Sequence, residues 1–147
     1  MASDRYFDDY KPGTVEEFGE VTVTAQDIVE FARRYDPQPF HVDPSAAARS
    51  PYGGLIASGW HTSALMMRLL TEHYLGESSL GSPGVDELRW PAPVRPGDTL
   101  SLRVSILETR LSRSKPDRGI LRSRVEVLNQ DGTTVLSAVA VNLIAVG

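Results

Sequence analysis

The sequence predicts an α+β fold built on one antiparallel sheet. Three observations carry this. Helical spacing early in the chain leads to one long, nearly all-apolar helix. Beyond it the hydrophobic period changes from the helical value to two. Turn residues then separate the alternating segments, as in strands joined by short connections. At 147 residues the chain is expected to be one domain, 1–147, long enough to bury a core.

Taken in order, residues 1–15 read as an irregular lead-in and Phe18–Val23 as a short strand. Thr24-Ala25-Gln26-Asp27 is close to a capping box, with Asp where Glu is usual, and starts a helix over Ala25–Tyr35. Ile28, Val29, Ala32 and Tyr35 share one side of it. Asp36-Pro37 stops it. Asp43-Pro44 starts a short helical turn through Ala48, with Pro at the first helical position. Ser50–Gly54 is a loop.

The long helix runs from Ser58 to about Tyr74. Trp60, Ala64, Leu65, Met66, Met67, Leu69 and Leu70 leave little of it polar, so burial on most sides is expected. Gly76 is a stop and Gly81–Gly84 a loop. Val85–Trp90 is a short strand, and Pro91–Gly97 a proline-rich connection. Leu100, Leu102, Val104 and Ile106 alternate with polar residues, as do Leu121, Val125 and Val127. Gln130-Asp131-Gly132 is a turn, and Thr133–Val146, apolar at nearly every position, is expected to be a central strand. One apolar helix against one sheet implies that the sheet wraps around the helix.

Bulk properties narrow the function. A net charge of −4 argues against a nucleic-acid binder. With no cysteine, disulfides, thiol nucleophiles and cysteine metal sites are excluded, which fits a reducing cytoplasm. No signal-peptide core and no run of about 18 apolar residues is seen, so a soluble, cytoplasmic protein without a membrane span is expected. No G-x-x-x-x-G-K or G-x-G-x-x-G phosphate loop occurs.

The chemistry concentrates in Asp36-Pro37-Gln38-Pro39-Phe40-His41, with Gly59 eighteen residues further on. Asp36 and His41 are five positions apart. An ideal helix would diverge their side chains and a strand would place them on opposite faces. Pro37 and Pro39 push the residues before them to extended geometry, leaving a kinked, stiffened turn that can aim both groups at one point. A carboxylate and an imidazole together bracket neutral pH.

These residues resemble the MaoC-like hydratase/dehydratase family, which includes the (R)-specific enoyl-CoA hydratases. The family pattern G-D-x-N-P-x-H-x-D is similar to Tyr35–Asp43 here. Gly54-Leu55-Ile56-Ala57-Ser58-Gly59 is similar to the stretch leading into the family's central helix, and Arg95-Pro96-Gly97-Asp98-Thr99-Leu100 to its later strands. The resemblance covers about Val21–Val146. It implies the hot-dog fold, a long central helix wrapped by a curved antiparallel sheet. It implies Asp36 and His41 as a catalytic dyad and the Gly59 N–H as the donor to the thioester oxygen. Gln38 stands where the family often has Asn, one methylene shorter, a change that bears on substrate preference. Tyr35 replaces the usual Gly. Some members carry a serine on the central helix near the substrate, and Ser63 lies in that region.

The implied reaction is reversible hydration of a trans-2-enoyl-CoA to an (R)-3-hydroxyacyl-CoA, with coenzyme A as part of the substrate and no other cofactor. The implied partners are an acyl-CoA or acyl-carrier-protein thioester and a second copy of the chain, as a homodimer or dimer of dimers. Two alternatives stay open: a hot-dog thioesterase, and a non-catalytic acyl-CoA-binding module. Trp60, Met66 and Met67 are core residues or walls of an acyl tunnel. Arg113, Lys115 and Arg118, with Arg110, are a solvated hairpin tip or a contact to coenzyme A phosphates; Arg89 and Arg95 are lesser candidates for that contact. Asp43 reads as a helix cap. His41, His61 and His73 lack metal-binding spacing, so no metal site is expected.

Overall fold

The computed structural model describes residues 5–147; residues 1–4 of the lead-in lie outside the described residues. The elements are β1 (Val15–Thr22), α1 (Ala25–Tyr35), α2 (Pro39–Val42), α3 (Pro44–Ala48), α4 (Gly59–His73), β2 (Ser79–Arg89), β3 (Thr99–Leu111), β4 (Arg118–Leu128) and β5 (Thr134–Ala145). The five strands form one antiparallel sheet in the order β1-β3-β4-β5-β2. This is the α+β, hot-dog architecture, with α4 lying against the sheet.

Local chemistry sets these boundaries. The Thr24 hydroxyl accepts from the Asp27 N–H at 3.1 Å, and the Asp27 carboxylate accepts from the Thr24 N–H at 3.2 Å. That reciprocal cap starts α1 where the sequence indicated. Ile28 and Ala32 are fully buried, but Tyr35, expected on the same side, is 65% exposed. Tyr35 is the last residue of the helix, and its ring rests on Phe31 at 5.0 Å.

The alternation of β3 is realised: Leu100, Leu102, Val104 and Ile106 are all buried. β5 is internal to the sheet, paired with β4 and with β2, and Val135, Leu136, Ala138, Val139, Ala140 and Ile144 along it are buried. β2 is longer than the sequence indicated. Gly81–Gly84, read as a loop, lies inside it: Gly81 pairs with Leu143 and Gly84 with Val141, with register shifts between. Pro83 lacks a donor, which an edge strand with one neighbour tolerates. Gly81 has φ +110°, a bulge geometry suited to glycine.

α4 is buried on one side, not on most. Met66, Leu69 and Leu70 face the core, whereas Trp60 and Met67 are 58% and 42% exposed. One sheet covers one face of a helix and leaves the other open. The lead-in is more ordered than an irregular segment. It forms a short 3₁₀ turn over Phe7–Asp9 and sends Phe7 and Tyr10 into the core. Tyr10 meets Tyr74 edge-on at 5.1 Å and donates to its carbonyl, while the Tyr74 hydroxyl pairs with Ser123 at 2.8 Å. Burial outweighs that hydrogen bond and pushes the Tyr74 phenol above its usual value.

His61 joins α1 to α4. It is 7% exposed and stacks on Phe31 at 4.7 Å with 8° between the rings. Its Nδ1 is buried with no hydrogen-bond partner among the described residues. Burial pushes the imidazole below its usual value, and the nearby Asp27 carboxylate opposes this only in part. Asp27, Glu30 and Arg68 line the small cavity beside it. The unfolded chain therefore binds the His61 proton more readily than the folded one. Stability should fall as pH drops below about 6.5, by at most about 1.4 kcal/mol per pH unit. His61→Phe should flatten that slope in chemical denaturation between pH 7 and pH 5. An unchanged slope would place the effect elsewhere.

Candidate active site

A cavity of about 500 Å³ opens where the proline-rich connection, the start of α4 and the Asp36–His41 turn meet. The Ala57 N–H donates to the Val94 carbonyl at 2.9 Å, fixing the approach to α4 against the connection. Val135, at the start of β5, forms part of the wall. The site thus lies at the end of the sheet where β3 begins and β4 ends.

The turn is built largely as the prolines dictate. Asp36 sits at φ −155°, ψ 70°, and Gln38 is extended at φ −73°, ψ 146°. The segment is not free of regular structure, however. Pro39 occupies the first position of the single helical turn α2, which carries His41. The reversal is confined to 36–38, and the helical turn swings the imidazole back toward Asp36. The Asp43 carboxylate accepts from the Ser45 N–H at 3.0 Å and caps α3.

His41 is 5% exposed, and its Nδ1 is 2.7 Å from the Ile56 carbonyl. A carbonyl only accepts, so Nδ1 carries the hydrogen and the neutral ring presents Nε2 as an acceptor. Nε2 faces Asp36 Oδ2 at 3.4 Å. Asp36 Oδ1 accepts from Gln38 Nε2 at 2.7 Å and Oδ2 from the Ser58 hydroxyl at 2.7 Å. Burial pushes the Asp36 carboxyl up, but the Ser58 and Gln38 hydrogen bonds and the positive charge on His41 when its ring is protonated outweigh it, leaving the pKa below the usual value. When the ring is neutral, Nε2 and Oδ2 are two acceptors facing one another. A water on the cavity side of the pair can donate one hydrogen to each and present its oxygen lone pairs to the cavity.

Gly59 is the first residue of α4, and a helix supplies no acceptor for the N–H at that position. The dipole of α4 adds positive potential there. A Cβ built on Gly59 would lie 2.6 Å from the indole carbons Cδ2 and Cε2 of Trp90, so the ring occupies the space a side chain would need. Trp60 meets Trp90 in a T-shaped contact at 5.1 Å, and both line the cavity.

Asp36, Gln38, His41, Gly59 and Trp60 are thus brought together. Ser63 is not: its hydroxyl donates to the Gly59 carbonyl at 3.1 Å, and Thr62, 2% exposed, reaches the cavity wall from that turn of the helix. Met66 is core and Met67 faces outward; neither lines the cavity. Arg113, Lys115 and Arg118 lie on the connection between β3 and β4 or its edge, at the far end of β3 from the cavity. Thirteen residues of strand span about 40 Å, so within one protomer these side chains do not reach the site. Arg118 is paired with Asp117 at 2.9 Å. Arg95 donates to the Tyr52 carbonyl at 2.8 Å, tying the connection to the Tyr52 loop.

Three contributors escaped the sequence reading. The sequence marks Ser58 as the start of a helix and as part of the Gly54–Gly59 stretch, and a serine at an N-cap close to the Asp36–His41 turn is the signal for its bond to Asp36. Trp90 was read as the end of a strand. The Ile56 carbonyl is backbone and left no sequence signal. Among the described residues no group of three or more His, Cys, Asp or Glu could hold a metal ion.

Comparison with known proteins bears on the family and the fold. A family model described as a MaoC like domain matches residues 9–127. The uncharacterized protein YdeM of Bacillus subtilis is 31% identical over 124 residues, 84% of this chain and 86% of its own length. The 3-hydroxybutyryl-CoA dehydratase of Methylorubrum extorquens is 32% identical over 104 residues, 70% of this chain and 64% of its own length. The crystal structure of the MaoC-like dehydratase from Rhodospirillum rubrum superposes with a TM-score of 0.88 at 38% identity, covering 97% of this chain and 98% of that one. With the family model covering most of the chain and the helix-and-sheet architecture shared, the protein belongs to the MaoC-like dehydratase family.

Proposed function

We propose that this protein catalyses the reversible addition of water to a trans-2-enoyl thioester, giving an (R)-3-hydroxyacyl thioester with coenzyme A as carrier. The observation that carries this reading is the pair His41 Nε2 and Asp36 Oδ2, 3.4 Å apart on the wall of a cavity that Gly59, the first residue of α4, also lines. A water held by both acceptors loses a proton to the dyad as its oxygen bonds to the β-carbon. The π electrons move onto the thioester oxygen, where the Gly59 N–H stabilises the enolate. The dyad then returns a proton to the α-carbon, and the carbonyl re-forms. The reverse sequence is dehydration. Such acid/base assistance is typically worth about 10² to 10⁴ in rate.

The two other readings make different use of the same groups. A thioesterase would send the water to the carbonyl carbon and release free thiol. A binding module would use neither proton acceptor. The hydrogen bonds from Gln38 and Ser58 that hold Asp36 as a carboxylate support a catalytic role over simple binding.

The proposed assembly is a homodimer or dimer of dimers. β2 closes one edge of the sheet and is exposed along nearly all its length, and Trp60 and Met67 form an apolar stripe on the open face of α4. Unpaired edges and exposed apolar faces both favour a second copy.

Three outcomes test these readings. Crotonyl-CoA should lose its enoyl absorbance without thiol release, and Asp36→Asn or His41→Ala should each lower kcat by about a hundredfold or more with the fold intact by circular dichroism. Thiol release instead would establish hydrolysis. Gly59→Ala keeps the N–H but puts a Cβ where the Trp90 ring lies, and the resulting displacement of the donor should cost about a hundredfold in kcat/KM. The same substitution in the Trp90→Ala background should cost far less, because the obstructing ring is gone; equal costs in both backgrounds would show that Trp90 does not set the requirement for glycine. Sedimentation at micromolar concentration should show a dimer or larger species, and an active species of about 16 kDa, the mass of one chain, would refute the assembly.

A further inference from the structure

Thr62 carries a hydroxyl that the chain itself does not use. The residue is 2% exposed and lines the cavity together with Gly59. Its Oγ1 makes no hydrogen bond among the described residues. The other two hydroxyls of α4 bond back along the helix, Ser63 to the Gly59 carbonyl at 3.1 Å and Thr71 to the Arg68 carbonyl at 2.9 Å. Occupied acceptors explain the difference. The carbonyl one turn before Thr62 is that of Ser58, which already accepts from the His61 and Thr62 N–H groups at 3.0 and 3.2 Å. Those two bonds fill both of its lone pairs. The next carbonyl, of Gly59, is taken by the Ser63 hydroxyl. Thr62 Oγ1 is not among the polar atoms sealed from solvent without a partner, so it keeps contact with open space. The space that Thr62 lines is the cavity.

We propose that the Thr62 hydroxyl donates to the thioester oxygen beside the Gly59 N–H, as the second donor to the developing enolate. This deepens the hydratase reading and rests on its thioester substrate. Thr62 stands three residues after Gly59, so the two are neighbours on one face of α4. Helical side chains lean toward the N-terminus, which carries the hydroxyl toward the turn that Gly59 begins. The backbone there has one donor to spare. The Trp60 N–H goes to the Ser58 hydroxyl, and the next two go to the Ser58 carbonyl. An enolate oxygen accepts more than one hydrogen bond, and donors lower the barrier most where charge develops. The dyad, by contrast, has no use for the hydroxyl. Gln38 and Ser58 already donate to Asp36, and the Ile56 carbonyl takes the His41 Nδ1 hydrogen. A donor to the attacking water would occupy the lone pair that must bond to the β-carbon.

The contact is read without turnover from the carbonyl stretch of bound butyryl-CoA, labelled at the thioester carbon, by infrared difference spectroscopy on the full-length protein. A saturated acyl chain has no double bond to hydrate, and hydrogen bonding lowers the stretch. Thr62→Val keeps the shape of the side chain and removes the donor, so the downward shift should shrink; Thr62→Ser should restore it. With crotonyl-CoA, Thr62→Val should lower kcat about a hundredfold, as loss of an oxyanion donor does, and Thr62→Ser far less. The melting temperature of Thr62→Val should not fall, because the free protein leaves this hydroxyl unpaired. A Thr62→Val protein that melts lower but keeps the full carbonyl shift overturns the proposal in favour of a packing role. Loss of the shift in Trp90→Phe but not in Thr62→Val overturns it in favour of the indole N–H, since Trp90 lines the same cavity. A protein whose bound thioester loses its shift in Thr62→Val, but which hydrates no enoyl thioester, keeps this proposal and removes the hydratase reading.

Discussion

The Ser58 hydroxyl is the joint on which the site depends. It is fully buried, donates to Asp36 Oδ2 at 2.7 Å, and accepts from the Trp60 N–H at 3.2 Å as the N-cap of α4. One oxygen thus terminates the long helix and orients the Asp36 carboxylate. An N-cap contributes about 1 kcal/mol to a helix, and a buried hydroxyl left unpaired costs at least as much. Any displacement of α4 along its axis would carry its Ser58 cap with it and break the contact to Asp36. The packing of Met66, Leu69 and Leu70 against the sheet therefore also sets where Asp36 points.

The same end of α4 explains why backbone, and not only side chains, is under constraint. Residue 59 has no positive φ, so its glycine does not answer a left-handed conformation. Close approach is the reason: the Trp90 indole lies where a Cβ would be. The ring meets Trp60 edge-on, and both indoles line the cavity beside the first residue of α4.

Much of this was legible in the sequence because it is written in local chemistry. The Thr24 cap, the Asp36-Pro37 stop, the alternation from Leu100 to Ile106 and the Asp36/His41 pair each follow from short-range rules. What the sequence did not disclose depends on non-local partners. Gly81–Gly84 looks like a loop until β5 supplies hydrogen bonds across the bulges. Tyr35 has the phase of a buried residue, yet the helix ends before anything covers it. Ser63 and Thr62 are adjacent, and only the pose of α4 decides that the threonine meets the cavity while the serine bonds back to Gly59. The long hairpin hid its distance from the site, since sequence spacing says nothing of which end of a sheet a tip occupies.

Gln38 shows how a small departure from the family pattern is accommodated. Its amide reaches Asp36 Oδ1 at 2.7 Å from the extended position before Pro39. An asparagine at the same backbone position would have one methylene less reach to that oxygen. The longer side chain lies on the cavity wall with Phe40 and Tyr52, so the residue that completes the carboxylate's hydrogen bonds also shapes the cavity. Carboxylate orientation and cavity shape are therefore coupled through one residue, and a change at Gln38 would alter both.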